Sequence, residues 1–438
     1  MNIINIVPGF GGTFYCGNCL RDSGYVSALK EYGHEAHTLP IYLPLSMDHV
    51  DREEGTPIFY GAISIYLKQN YKIFRGMPLW LEKFFNADVF LRYAAKKAGS
   101  TRAEGLEEMT ISMLDGHDGY QKEELEQLID YLKNHAKPDV IHLSNALLLG
   151  LAKKIKEDVG CAVICSLQDE DVWIDAMHPN YVDKVWNLMS EKAKDVDGFV
   201  AVSEYFGKLM QLKMQIPDEK MQIIYVGVEP ELYTFKEPDV EHPTIGYLSR
   251  LNEENGFEIV IDAFIKLKQN PEHKNVKLKV TGGYTGDDVR FIKKQKRKLQ
   301  RNNIREDVEF VNAYEGDKKK EFLSSLTLLT VPVLNGEAFG LYQLEALASG
   351  TPTVQPKLGA FPEIVEATKG GVIFEPNTSE ALAEKLHEVL SNKKRIIEMA
   401  SAGRKSVEEK FNMKQLIQKM IKGYETAMED GERRNKIK

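Results

Sequence analysis

Two glutamates flank a glycine turn in the second half of the chain. Glu337 and Glu345 have seven residues between them, among them Gly340 and Leu341. The residues after the turn predict a helix that stops at Gly350. Because the first turn of a helix leaves backbone N–H groups unpaired, it can hold a diphosphate, and a carboxylate on each side can accept hydrogen bonds from sugar hydroxyls. Either glutamate alone could be a solvated helix charge, but the combination with the glycine turn indicates a binding site.

A second glycine turn lies near the start of the chain, between a predicted strand and a predicted helix. Gly9, Gly11 and Gly12 allow the backbone to approach a ligand closely, and the helix beyond them offers N–H groups to an anion. Position 14 is Phe14, so the dinucleotide motif G-x-G-x-x-G is not met. The alternative interpretation is a tight turn without a ligand.

The elements that position these turns alternate between strands and helices in each half of the 438-residue chain, which ends in a series of helices. This alternation predicts an α/β protein with parallel sheets. A linker with three prolines, 227–243, separates two such series. We therefore expect two doubly wound Rossmann-like domains, 1–235 and 236–411, which face each other across a ligand cleft. The helix 412–438 is expected to pack back on the first domain.

Composition and charge indicate which partners and which cellular location to expect. The net charge of −8 is a poor basis for nucleic-acid binding, so no nucleic-acid partner is expected. The sequence has no run of about 18 uncharged apolar residues that would indicate a membrane span. The N-terminal residues are typical of a first strand rather than a signal peptide, which predicts a cytoplasmic protein.

The motifs together resemble one enzyme family. Glu337 and Glu345 match the E-x7-E motif of retaining GT-B glycosyltransferases of family 4, and the similarity covers nearly the whole chain. Four further segments match that family's motifs in order and spacing: 197–203, 226–228, 245–251 and 359–365. The resemblance specifies the family and no particular substrate.

The resemblance implies a nucleotide-sugar donor held mainly by the second domain, with no other cofactor. It assigns the diphosphate to Arg250, the ribose to Glu345 and the transferred sugar to Glu337. Arg250 and Glu337 are then the catalytic residues, because Arg250 stabilises charge on the leaving group. The backbone N–H groups of four further residues would complete the phosphate cradle: Gly11, Gly12, Gly340 and Leu341.

The sequence departs from the family pattern in two places. The family usually has a lysine five residues after the arginine, whereas this chain has Asn255, which carries no charge. By its position, Asn255 remains a predicted donor-binding residue. A histidine often ends the fourth N-terminal strand of the family, and here His142 lies earlier, with Asn145 near the tip. We predict acceptor contacts for His142 and Asn145. For His142 the alternative is a core histidine with satisfied hydrogen bonds.

Asp169 and Asp171 mimic the D-x-D metal motif of the other major glycosyltransferase fold. Carboxylates could bind Mg²⁺ or Mn²⁺, but GT-B enzymes generally use helix N–H groups and basic side chains, so we predict no metal. Asp169 is instead a candidate for acceptor contact, or part of a solvated loop. Cys161 and Cys165 provide no zinc site either, because a strand holds them roughly 13 Å apart at about 3.3 Å per residue.

The segment 66–102 combines eight basic residues with two acidic ones and many aromatics. This pattern suits peripheral contact with the inner face of a membrane, or a phosphorylated acceptor; the alternative is helices with buried aromatics and solvated lysines. The basic runs 293–298 and 318–320 are interpreted as solvated faces.

The predicted function is transfer of a sugar from a nucleotide diphosphate sugar to a hydroxyl of a lipid-linked or glycan acceptor, with retention. One alternative is a GT-B synthase or phosphorylase that acts on a small soluble sugar. The other is a GT-B binding subunit without activity, which the replacement of lysine by Asn255 suggests.

Overall fold

The computed structural model describes residues 1–9, 14–41 and 105–437. The predictions for Gly11, Gly12 and the segment 66–102 lie outside the described residues. Within the described residues, no helix is both long and apolar enough to cross a membrane.

In the described part of the chain, two parallel six-stranded sheets form the cores of the molecule. The first sheet has the order β2-β1-β3-β4-β5-β6 and the second the order β12-β11-β10-β7-β8-β9. The strands of the first sheet are β1 (Asn2–Val7), β2 (Glu35–Pro40), β3 (Val140–Leu143), β4 (Ala162–Leu167), β5 (Gly198–Ala201) and β6 (Met221–Ile223). Those of the second are β7 (Thr244–Leu248), β8 (Lys277–Thr281), β9 (Val308–Phe310), β10 (Leu328–Leu329), β11 (Thr353–Pro356) and β12 (Gly371–Phe374).

Helices connect the strands of both sheets. In the first half they are α1 (Gly17–Glu31), α2 (Glu107–Asp115), α3 (Lys122–Tyr131), α4 (Ala152–Lys154), α5 (Glu170–Asp175), α6 (Pro179–Lys192) and α7 (Glu204–Met214). In the second they are α8 (Phe257–Lys268), α9 (Val289–Arg301), α10 (Gly316–Ser324), α11 (Leu341–Ala348), α12 (Phe361–Thr368), α13 (Ser379–Leu390), α14 (Lys393–Lys410) and α15 (Met413–Ile437). The predicted α/β class with two doubly wound, Rossmann-like domains is confirmed.

The sequence of β1 shows why the sheets form. Its residues after Asn2 are all buried and almost all apolar, which is typical of a parallel strand covered on both faces. β1 pairs with β2 on one side and with β3 on the other, so the strand order reverses there. In the second sheet β7 has the same position, between β8 and β10. Ligands of doubly wound sheets bind at the carboxyl ends of the strands at such reversals.

The chain divides into two compact domains after Ile224 rather than after the predicted residue 235. The first domain contains the described residues up to Ile224, except 14–17, and the chain from Ile417 onward. The second contains residues 14–17 and Tyr225–Leu416.

Hydrogen bonds explain why the linker belongs to the second domain. The Val228 N–H donates to the Phe411 carbonyl at 3.0 Å, and the Met413 N–H donates to the Val228 carbonyl at 2.9 Å. The Tyr233 hydroxyl also donates to Glu345 Oε1 of α11 at 2.8 Å. These contacts, which a proline-rich sequence does not reveal, join both the linker and the start of α15 to the second domain.

Candidate functional site

The loop that carries Glu337 joins β10 to α11 and closes through glycines. Gly340 has a φ of 82°, and a Cβ there would lie 3.1 Å from Glu337 Oε2 and 3.0 Å from Gln343 Nε2, so the turn requires glycine. The Tyr342 hydroxyl donates to Glu337 Oε1 at 3.2 Å, and the Glu337 carbonyl accepts from the Ala360 N–H at 3.0 Å. The half-buried carboxylate of Glu337 is thus fixed at the amino-terminal end of α11, where the helix dipole favours an anion.

Glu345 lies within α11 and is only 2% exposed. Its Oε1 accepts hydrogen bonds from the Tyr233 hydroxyl at 2.8 Å and from Lys319 Nζ at 2.5 Å. Its Oε2 accepts from the Tyr15 hydroxyl at 2.9 Å. Burial and the charge of Glu345 raise the pKa values of both tyrosines well above their usual range, so both phenols stay protonated and donate.

Lys319 corrects the interpretation of the run 318–320 as a solvated face. Its side chain is buried and paired with Glu345, whereas Lys320 is partly exposed and lies 3.0 Å from Asp317 at the surface. Successive residues of a helix point about 100° apart, so one of three consecutive lysines in α10 can face the interior.

Arg250 follows β7 and is held by an acidic partner. Its Nε lies 2.9 Å from Asp288 Oδ2, and its Nη2 lies 3.2 Å from Asp288 Oδ1 and 2.8 Å from Thr285 Oγ1. The Phe14 ring lies 5.2 Å from the guanidinium carbon. The side chain is 16% exposed. Arg250 is therefore a preorganised two-point donor whose present partner is a carboxylate, the same class of acceptor as a phosphate.

Asn255 is bound within the loop that follows Arg250. Its Nδ2 donates to Ser249 Oγ at 2.6 Å, and its carbonyl accepts from the Tyr247 hydroxyl at 3.1 Å. The same hydroxyl lies 3.0 Å from the Arg250 carbonyl, and burial followed by the charge of Glu337 raises the pKa of Tyr247. Tyr247 therefore joins the backbone of two predicted donor residues, Arg250 and Asn255.

His142 is part of the core of the first domain. Its Nδ1 lies 2.5 Å from the Tyr424 hydroxyl and its Nε2 lies 2.7 Å from Ser166 Oγ. Burial, with a smaller contribution from the charge of Arg21, lowers the pKa of His142 to about 3, so the ring is neutral. An acceptor would have to replace one of these two hydrogen bonds to reach the ring.

Asn145 and Asp169 lie at the predicted edge of the first sheet. Asn145 begins a short helical segment, and its Oδ1 accepts from the Leu147 N–H at 3.1 Å. Asp169 has a φ of 55°, and its Oδ2 accepts from Asn18 Nδ2 at 3.0 Å. Burial and the charge of Asp169 raise the pKa of Asp171 to about 6. This edge therefore offers acceptor groups for a hydroxyl.

Glu170, next to Asp169 in sequence, has a structural role. Glu170 is buried, and its two oxygens accept from the Ala146 N–H at 2.8 Å and the Gln168 N–H at 2.7 Å. Burial raises the pKa of Glu170 to about 7.

A group of potential metal ligands lies away from Asp169 and Asp171. Among the described residues, Glu272, His273 and His387 are the one trio whose donor atoms lie within 4.8 Å of one another.

Sequence reasoning missed four side chains of the second domain. Tyr15, Tyr233 and Lys319 surround Glu345, and Asp288 binds Arg250. For one of these residues, Asp288, the sequence carries a local signal: Thr285 and Asp288 have the spacing of a capping box at the start of a helix.

Two family models match this chain. Residues 231–406 match the family described as "Glycosyl transferases group 1", and residues 113–232 match "Glycosyltransferase Family 4". With the two Rossmann-like domains, these matches define the chain as a glycosyltransferase of the GT-B type, similar to family 4.

Individual proteins resemble this chain in sequence or in fold. An uncharacterized glycosyltransferase of Methanocaldococcus jannaschii is 24% identical over 334 residues, which are 71% of this chain and 80% of that protein. Sucrose-phosphate synthase from Thermosynechococcus elongatus is similar in structure, with a TM-score of 0.69 and 16% identity over 97% of this chain and 99% of its own. Anabaena HepE in complex with UDP has a TM-score of 0.67 and 15% identity over 97% and 100% of the two chains.

Proposed function

We propose that this protein transfers a sugar, with retention, from a nucleotide diphosphate sugar to a hydroxyl of a lipid-linked or glycan acceptor. The observation that carries the proposal is the position of Glu337 at the amino-terminal end of α11, with Glu345 further along the same helix. HepE, a structural neighbour, has been crystallised with UDP and with UDP-glucose, which supports a nucleotide-sugar donor.

The second domain supplies the groups that such a donor needs. The diphosphate would lie at the first turn of α11, and Arg250 would exchange its contacts with Asp288 for phosphate oxygens, which stabilises the leaving group. Glu337 would accept hydrogen bonds from the transferred sugar and Glu345 from the ribose. In the retaining step, the bond from the anomeric carbon to the diphosphate oxygen breaks and the bond to the acceptor oxygen forms on the same face. The acceptor proton passes to the leaving diphosphate, so no protein base and no metal are required.

The acceptor belongs to the first domain in this proposal, near Asn145 and Asp169, whose oxygens can orient a hydroxyl. A cytoplasmic location is part of the same proposal. So is peripheral contact with the inner face of the membrane, which rests on the composition of 66–102 alone.

Two measurements test the function. Thermal unfolding with UDP-, GDP- and ADP-sugars identifies the donor, because a ligand that binds only the folded state raises the melting temperature. Transfer to lipid-linked, glycan and small soluble sugar acceptors is then followed by proton NMR of the new anomeric centre. Stabilisation by one donor class and a product of unchanged anomeric configuration are expected. An inverted product contradicts the retaining mechanism, and stabilisation by none of the donors contradicts the donor assignment.

A further inference from the structure

The short segment Phe14–Gly17 follows the first glycine turn, ends at the first residue of α1 and belongs to the second domain. The Tyr15 N–H donates to the Gly282 carbonyl at 2.8 Å, and Phe14 pairs with Gly283 in an antiparallel bridge. The backbone of the segment therefore adds to the end of β8, close to the loop that carries Arg250.

The side chains of this segment contact the residues that the proposed function assigns to the donor. The Phe14 ring lies against Arg250, and the Tyr15 hydroxyl is bonded to Glu345. Lys319 Nζ lies 5.5 Å from the Tyr15 ring centroid, and the Tyr342 ring packs edge-on at 6.3 Å. Tyr15 is 7% exposed, so its hydroxyl is held at Glu345 by packing on several sides.

The two oxygens of Glu345 differ in what they can still accept. Oε1 has two donors, Tyr233 and Lys319, whereas Oε2 has the Tyr15 hydroxyl. A ribose hydroxyl is chemically the same donor as a tyrosine hydroxyl. Because Glu345 is almost completely buried, a ribose can reach Oε2 only if the Tyr15 hydroxyl leaves.

We propose that Tyr15 occupies the ribose position on Glu345 in the donor-free enzyme, and that donor binding displaces it. This inference rests on the proposed function and makes Tyr15 a determinant of donor affinity. The Tyr15 hydroxyl and the ribose hydroxyl compete for Glu345 Oε2. The bond from Tyr15 stabilises the enzyme without donor, and a nucleotide must break that bond when it binds.

Nucleotide affinity of Tyr15→Phe tests the competition. The variant keeps the ring but leaves Oε2 buried without its donor, a cost that a bound ribose removes. We expect UDP, GDP or ADP, whichever binds the wild type, to bind Tyr15→Phe about tenfold more tightly in calorimetry, since hydrogen bonds to charged groups are of that order. Tyr233→Phe is the matched control, because it removes a hydroxyl from the other oxygen of the same carboxylate, and its affinity should not rise. Equal or weaker binding by Tyr15→Phe overturns the inference, and so does an equal gain in both variants.

A second measurement reports on the segment itself. Cys16 follows Tyr15 and is half-buried, so its rate of alkylation, located by mass spectrometry, should rise when the nucleotide displaces Tyr15. Unchanged or slower labelling at saturating nucleotide means that the segment stays in place and contradicts displacement. If none of the three nucleotides binds the wild type, the proposed function itself fails. If one binds but Tyr15→Phe gains nothing, only the present inference fails.

Discussion

Lys319 Nζ lies 2.5 Å from Glu345 Oε1, and both side chains are almost completely buried. A buried ion pair contributes little net stability, because each charge loses its hydration, but removal of one partner leaves the other charge uncompensated. In this protein the pair holds the carboxylate that the proposed function assigns to the ribose.

Removal of Lys319 should therefore destabilise the second domain strongly. Lys319→Met leaves the buried Glu345 charge without its cation, and we expect a loss of about 3 kcal/mol in the free energy of unfolding. Lys320→Met, in the same helix, breaks only a surface pair with Asp317 and should cost less than about 1 kcal/mol. Urea denaturation of the two variants provides the comparison, and equal losses would contradict the structural role of the pair.

Glu337→Gln should abolish transfer and spare nucleoside diphosphate binding. The carboxylate lies at the start of α11 and addresses the sugar, whereas the diphosphate depends on helix N–H groups and Arg250. Glu366→Gln is a suitable control, since Glu366 is an exposed residue of α12 that lies 3.7 Å from Lys369. Transfer assays and calorimetry with the same nucleotide are needed together. A matched loss of nucleotide affinity would argue against a role confined to the sugar.

The pKa of His142 makes a testable contribution to stability. Its folded pKa is about 3, against 6.5 in the unfolded chain, so the unfolded state takes up the proton first as the pH falls. The contribution of His142 to the free energy of unfolding is thus present above pH 6.5 and is lost progressively between pH 6.5 and pH 3. At pH 5 the loss is about 2 kcal/mol. Glu170, with its pKa raised to about 7, acts in the opposite direction.

Comparison with His142→Gln separates these two contributions. The variant keeps Glu170 but cannot take up a proton at position 142. Urea unfolding at pH 7.5 and pH 5 should show wild type losing about 2 kcal/mol more than the variant. An identical pH dependence of both proteins would show that His142 is not a neutral core residue.

The sequence predicts the sheets well because their signal is local. β1 and β4 are short apolar runs that must be buried on both faces, and a restart of the strand–helix pattern after 227–243 indicates a second domain. The turn at Glu337 and Gly340 is equally local, since glycine, carboxylate and helix start lie within a few residues.

The partners of these residues lie too far apart in sequence to be predicted. Tyr15 is 330 positions from Glu345, and Tyr233 is 112 positions from it. Lys319 lies 26 positions away, in a run of lysines whose composition is that of a solvated surface. Only the packed structure shows which hydroxyls and which single lysine reach the buried carboxylate.

Transfer activity should survive chelation of divalent metal ions. The proposed mechanism assigns the leaving-group charge to the first turn of α11 and to Arg250, and Asp169 already accepts a hydrogen bond from Asn18. EDTA-treated enzyme should keep its rate, and Asp171→Asn should not alter the response to added Mn²⁺. Complete inactivation that Mn²⁺ reverses would instead assign Asp169 and Asp171 as ligands.

Asn255→Lys should tighten the binding of nucleoside diphosphates. Position 255 is where family 4 usually has a lysine, and a charge-assisted contact to a desolvated phosphate contributes about 1.5–3 kcal/mol. The new ammonium would replace an amide that now donates to Ser249. The gain should shrink with added salt, because ions screen the attraction. The transfer rate need not rise, since release of a tightly held product can limit turnover.

Calorimetry of Asn255→Lys at two salt concentrations measures this gain and its screening. Lys357 is another basic residue of the second domain, but it is exposed and lies 2.8 Å from Glu375. Lys357→Gln is therefore the control, and we expect it to leave nucleotide affinity unchanged. If Asn255→Lys gives no gain while Lys357→Gln weakens binding, then Lys357 supplies the second cation and position 255 points away from the diphosphate.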